Sequence, residues 1–162
     1  MSFEISASRE LEAQTGRVRI ESLNDEFAEL FLRWCSVVKA CEEKSLYTRV
    51  QVTSLGRSSI GEMILRSAAV VEQTCGGLTA NLWDDPFEWT LPETLPTRAS
   101  IIDYLNEVDT TRRRAFTSFG NDADLLREIS LPSGEMTTLS GLLTLSLAKA
   151  SEFYERAVAG AK

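Results

Sequence analysis

A chain of 162 residues, 43% apolar and 25% charged, has the size and composition of one globular domain with its own hydrophobic core. Its net charge of −7 disfavours phosphate backbones and anionic lipid, so neither nucleic acid nor a membrane is an expected partner. It contains no histidine, which removes Ser-His-Asp and Cys-His catalysis, HExxH zinc sites and histidine-based facial triads together.

The first residues, "MSFEISASRELEAQ", carry acids early and lack an apolar core segment, so they do not read as a secretion signal. No apolar run approaches the roughly 20 residues that span a bilayer, and the expected location is cytoplasmic. Residues 1–21 read as an N-terminal extension of a single domain covering 1–162. The only strand-like scrap is "RVRI", Arg17 to Ile20.

The first helical period runs from about Leu23 to Glu43, with Ser22 or Asn24 as cap and Asp25 and Glu26 in the first turn. Its apolar stripe is Phe27, Leu30, Phe31, Trp34, Val38 and Cys41. The second runs from about Ile60 to Leu82, capped by Ser58 or Ser59, and Glu62 completes a capping box if Ser59 is the cap. Its stripe is Ile60, Ile64, Ser67, Val71, Thr74 or Cys75, and Leu78, and Gly76-Gly77 predicts a kink or a close approach near its end. Next comes "DDPFEWTLPETLPT", which holds three of the four prolines and cannot be helical throughout. Phe87, Trp89, Leu91 and Leu95 pack it down as an ordered crossover, and Trp83, Phe87 and Trp89 offer a dimer surface or a lid over the bundle end, with packing within the chain as the alternative.

The third helix is expected from about Ser100 to Phe119, lined by Ile101, Leu105, Val108, Ala115 and Phe119 and ended by Gly120. A short helical piece, "DADLLREI", leads to a tight turn at Pro132, Ser133 and Gly134. The fourth helix runs from about Thr138 to Ala159, with Leu139, Leu143, Ser146, Leu147, Ala150, Phe153, Tyr154 and Ala157 inward. Four amphipathic helices of about 20 residues, each roughly 30 Å long, predict an all-α four-helix bundle, up-down-up-down-like, with a long connection between helices 2 and 3.

Cys35, Cys41 and Cys75 are odd in number and widely spaced, which fits buried structural thiols and neither a disulfide framework nor a CxxC pair. The adjacent carboxylates Asp84-Asp85 and Glu42-Glu43 do not face each other on a helix. The Glu-x-x-His pairs of di-iron bundles are impossible without histidine. "TTRRR", Thr110 to Arg114, reads as a solvated face paired to Glu107 or Asp109, with an anion or an acidic partner as the alternative.

"SSIGEMILRSAAVVE" and "LLTLSLAKASEFYERAV", together with "LRWCSVVKA", make the chain from about residue 22 onward resemble the DinB-like (DinB/YfiT) family of four-helix bundles. Members open the second helix with a Ser-Ile-Gly-Glu-like start followed by a metal-binding histidine, and the last helix carries two more, four residues apart. Members are described as candidate metal-dependent enzymes, some of them thiol transferases acting on low-molecular-weight thiols, and similar bundles often dimerise. Carried onto this chain, the helix-2 ligand falls on Arg66, or on Ser67 if the register shifts by one, and the helix-4 pair on Ala150 and Tyr154. None of these is a usual divalent-metal ligand, so the resemblance implies the scaffold without its metal site, and no metal or other cofactor is expected.

The candidate ligand cavity left at that place is Arg66, Ser67, Ser146, Ala150 and Tyr154, with Glu62 one turn before Arg66. A guanidinium near a phenol could bind a carboxylate or phosphate. The bland alternative pairs Arg66 with Glu62, Glu152 or water. The expected function is therefore binding, of a small anionic molecule or a protein partner, by a homodimer. The rival is a thiol or other group transferase using Arg66 and Tyr154 without metal. A purely structural interaction protein is the third reading.

Overall fold

The computed structural model describes Ser6 and residues 16–51, 56–88 and 90–161. Trp89, one of the three crossover aromatics, lies outside the described residues. The described chain is all-α in architecture: four long helices, α1 Val18–Ala40, α2 Ile60–Ala80, α3 Arg98–Ser118 and α4 Leu139–Gly160. Two small antiparallel ribbons accompany them. Strand β1 (Val50–Gln51) pairs with β2 (Arg57–Ser58), and β3 (Glu128–Ser130) pairs with β4 (Met136–Thr138) in the register Ile129 opposite Thr137.

The predicted stripes form one shared core. Phe27, Leu30, Trp34 and Val38 of α1 meet Ile64, Leu65 and Val71 of α2, Ile101, Leu105 and Phe116 of α3, and Leu139 and Leu143 of α4. Thr74 and Cys75 are both buried, so α2 is covered around most of its circumference. Each large side chain buried here contributes about 1.5–3 kcal/mol relative to exposure. Phe27, Phe116 and Phe119 stack in sequence at 5.6 and 5.2 Å between ring centroids, a tilted and an edge contact of the kind aromatic quadrupoles favour.

The order of helix directions departs from the up-down-up-down expectation. Ser67 meets Ala150 and Thr74 meets Ser146, so α2 and α4 are antiparallel. Arg98, the first residue of α3, donates to the carbonyls of Val38 and Cys41, so α3 starts where α1 ends. The Gly61 N–H donates to the Leu46 carbonyl at 2.7 Å, so α2 starts at that end too. The bundle is therefore up-down-down-up, with α2 and α3 parallel. The crossover at residues 81–97 makes this possible by climbing back along α2. Trp83 sits against Gly77, Phe87 lies under Arg66, and Tyr47 Oη donates to the Leu95 carbonyl at 2.5 Å.

Several boundaries move for identifiable reasons. "RVRI" is the start of α1, not a strand, and residues 18–21 belong to the helix rather than to an extension. Neither Ser22 nor Asn24 caps it. Asp122, far along the chain, accepts from the N–H groups of Arg19 and Ile20 at 3.0–3.1 Å and does that work. At the end of α3, Gly120 provides no left-handed cap; the chain leaves the helix extended at Phe119, and Arg17 donates to the carbonyls of Phe116, Phe119 and Gly120. The Ser59 half of the proposed capping box is present, with its Oγ accepting from the Glu62 N–H at 3.1 Å. Thr138 caps α4 in the same way through Gly141 N–H. The Pro132–Gly134 turn closes the β3–β4 ribbon, and Gly134 takes φ +87°, a conformation open to glycine at little cost.

Candidate functional site

The residues expected to surround a cavity between α2 and α4 split into three groups. Ser67, Ala150 and Ser146 come together at the helix contact. Trp34 Nε1 donates to Ser67 Oγ at 2.8 Å, and Ser67 Oγ donates to the Ala150 carbonyl at 2.5 Å. One turn or two along, Thr74 Oγ1 donates to Ser146 Oγ at 2.9 Å. Ser67 and Ala150 are completely buried. Small side chains at these positions let the α4 backbone come within reach of a serine hydroxyl, and the indole N–H finds the acceptor that a buried donor requires. This junction is filled by its own polar chain.

Arg66 does not join it. Its guanidinium lies 3.9 Å from the centroid of the Phe87 ring, a cation–π contact with the crossover. Neither expected partner is used: Glu62 pairs with Arg49 at 3.2 Å, and Glu152 pairs with Arg156 at 2.7 Å. Tyr154 is half-buried against the core. The structure thus puts the guanidinium on the crossover ring, while the Ser67 and Ser146 hydroxyls are engaged across the α2–α4 contact.

The "TTRRR" run also divides. Arg112 is buried rather than solvated: its Nε and Nη2 donate to Asp109 Oδ1 at 3.1 and 2.5 Å, and Nη1 donates to Asn24 Oδ1 on α1. Asp109 is equally buried, and Arg113, exposed, reaches its other oxygen at 2.9 Å. A buried arginine with its donors engaged ties helices together and leaves no free fork for a ligand.

Sequence reasoning missed Glu72 and Tyr104. Tyr104 Oη donates to Glu72 Oε2 at 2.6 Å across α2 and α3. Burial pushes the Glu72 carboxyl above its ordinary range, partly opposed by that hydrogen bond, with the charge of Glu107 adding to the rise. Burial, and then the neighbouring carboxylate, raises the Tyr104 phenol. Neither residue lies in the stripes read from the sequence, and the pairing depends on α2 and α3 being parallel neighbours. Burial raises all three thiols, Cys75 to about 12, so none is a ready thiolate near neutral pH.

Two open grooves flank the junction. One, of about 490 Å³, lies at the end of the bundle where α1 stops, around Cys41, Ile60 and Val158. The other, of about 600 Å³, runs between α2 and α4 beside Trp83 and the β3–β4 turn, and takes in Thr74, Ser146 and Lys149. Among the described residues no three histidine, cysteine, aspartate or glutamate side chains gather as a metal-holding group, and no helix is long and apolar enough to cross a membrane. Comparison with protein-family models, with curated proteins and with solved structures finds no match.

Proposed function

We propose that the chain is a DinB-like bundle in which the place of the family's metal has become a structural junction, and that it acts by binding, as a homodimer, a small anionic molecule or a protein partner. The observation that carries this reading is the hydrogen-bonded series Trp34–Ser67–Ala150. Two positions onto which the resemblance carries metal ligands, Ser67 and Ala150, are bonded to each other. The third helical element of the site, α1, contributes an indole donor, which repels a cation rather than holding one. Four long helices and the long return between α2 and α3 are compatible with the resemblance.

Arg66 supports binding at the bundle centre less well than the sequence suggested, because it is committed to Phe87. Polar groups also line the α2–α4 groove, among them Gln73, Ser146 and Lys149. A transferase dependent on Arg66 and Tyr154 acting together gains no support from a guanidinium already stacked on Phe87.

Elemental analysis of protein purified without chelator tests the metal-free reading, alongside melting with and without added nickel or zinc. The expected result is no stoichiometric transition metal and an unchanged Tm. A stoichiometric ion retained through dialysis would overturn it, and turnover of low-molecular-weight thiols with an electrophile would overturn the binding reading in favour of a transferase.

A further inference from the structure

We infer that the groove between α2 and α4 is a site for a small carboxylate with a flat apolar body, held by Lys149 and the Trp83 ring. This deepens the binding reading above and rests on it, but moves the ligand from the bundle centre to a place that the metal comparison does not indicate.

The argument begins with spacing. Leu142, Leu145, Ser146, Lys149 and Phe153 of α4 fall three or four residues apart and so share one face. Val70, Gln73 and Thr74 of α2 do the same opposite them. The result is an apolar trough with a polar floor. On that floor Thr74 spends its hydroxyl proton on Ser146, and Ser146 keeps a hydroxyl proton of its own to offer.

The aromatic wall is held in place before any ligand arrives. The Trp83 ring lies directly on Gly77, where a Cβ would come within 2.3 Å of Cε3. Its Nε1 donates to Asn81 Oδ1 at 2.9 Å, and its carbonyl accepts from Gln73 Nε2 at 2.7 Å. Asn81 is itself set by a left-handed φ of 55° at the end of α2. A ring fixed on three sides loses little freedom when a flat ligand stacks on it, and such preorganisation favours binding. This also gives Gly77 its reason: close approach to an indole, not to another helix.

Charge selects the head group. Two ionic side chains line the groove, Lys149 and Glu152. Glu152 is neutralised by Arg156 at 2.7 Å, whereas Lys149 takes part in no ion pair among the described residues. In a chain of net charge −7, the cation left over at an apolar groove favours an acid over an amine or a zwitterion.

The test is a titration of the full chain with 3-phenylpropionate and with its neutral amide, followed through backbone amide NMR shifts. The acid is expected to shift residues 70–74 and 142–149 and to bind at least about threefold tighter than the amide, the size of effect a partly exposed ion pair gives. Lys149→Met, at an exposed position, should abolish the preference without unfolding the protein, and Trp83→Ala should weaken both ligands. Equal affinities in wild type, shifts elsewhere, or no shifts at millimolar concentration would overturn the site. So would a dimer that buries these residues and dissociates on Leu145→Glu, which would assign the groove to a second copy. Each of these failures leaves the metal-free reading intact, since only a bound metal removes that one.

Discussion

Ser67 shows how one hydroxyl decides what a junction can be. It stands in an apolar stripe where sequence reading treats a serine as spare, yet it is both acceptor for Trp34 and donor to the α4 backbone. Trp34 is 1% exposed, so its indole N–H cannot turn to water. Ser67→Ala should therefore cost about 1–3 kcal/mol, most of it from leaving that donor without an acceptor. Urea unfolding would show the change as a lower midpoint at unchanged slope. Trp34→Phe in the Ser67→Ala background should add less than it does alone, because the orphaned donor is gone. Strict additivity of the two losses would mean that the bond carries no such weight.

At the scale of elements, two arginines act as reciprocal caps. Arg17 precedes α1 and covers the last carbonyls of α3, while Arg98 opens α3 and covers the last carbonyls of α1. Positive charge at a helix C-terminus also complements the dipole of each partner. Arg98→Met should lower stability by about 1–2 kcal/mol, and Arg98→Lys should restore less than half, since a single ammonium does not reproduce a fork over two carbonyls. Full restoration by lysine, read from thermal melts, would reduce the residue to a point charge. These caps explain what was and was not legible in the sequence. The four helices, their inward stripes, the cap Ser59 and the long crossover follow from local spacing, and all were readable. The start of α1 was not, because its cap, Asp122, belongs to a segment about a hundred residues away. The α3 end misled for the same reason: the glycine at the expected place takes no left-handed cap, and the carbonyls, its own included, go to Arg17. For the candidate site, Ser67, Ser146 and Ala150, grouped through the resemblance and the inward stripes, meet at the α2–α4 contact. Arg66 was not, because its place depends on a ring in the crossover that no periodicity predicts.

The whole molecule is set by the parallel pairing of α2 and α3, and the Glu72–Tyr104 contact is the polar link within it. Its consequence is a pH dependence that opposes the usual gain of stability by paired carboxylates. Burial raises the folded-state pKa of Glu72 above its ordinary value of 4.5. Between 4.5 and that raised value the folded chain binds more protons than the unfolded chain, so this group's contribution to stability falls as pH climbs through the window and is constant on either side. Glu72→Gln keeps a carbonyl oxygen for Tyr104 Oη and removes the charge. The variant should therefore match the parent in its relative stability below pH 4.5, gain on it as pH rises through the window, and hold that gain at neutral pH. Tyr104→Phe should act in the other direction, because it deletes the hydrogen bond that partly offsets burial, and the stability lost with rising pH should grow. Thermal melts of the three proteins from pH 4 to 8 give the differences directly. A gap between Glu72→Gln and the parent that stays flat across that range would mean that the carboxylate is as well solvated in the fold as out of it, and that the parallel pair is held by its apolar contacts alone.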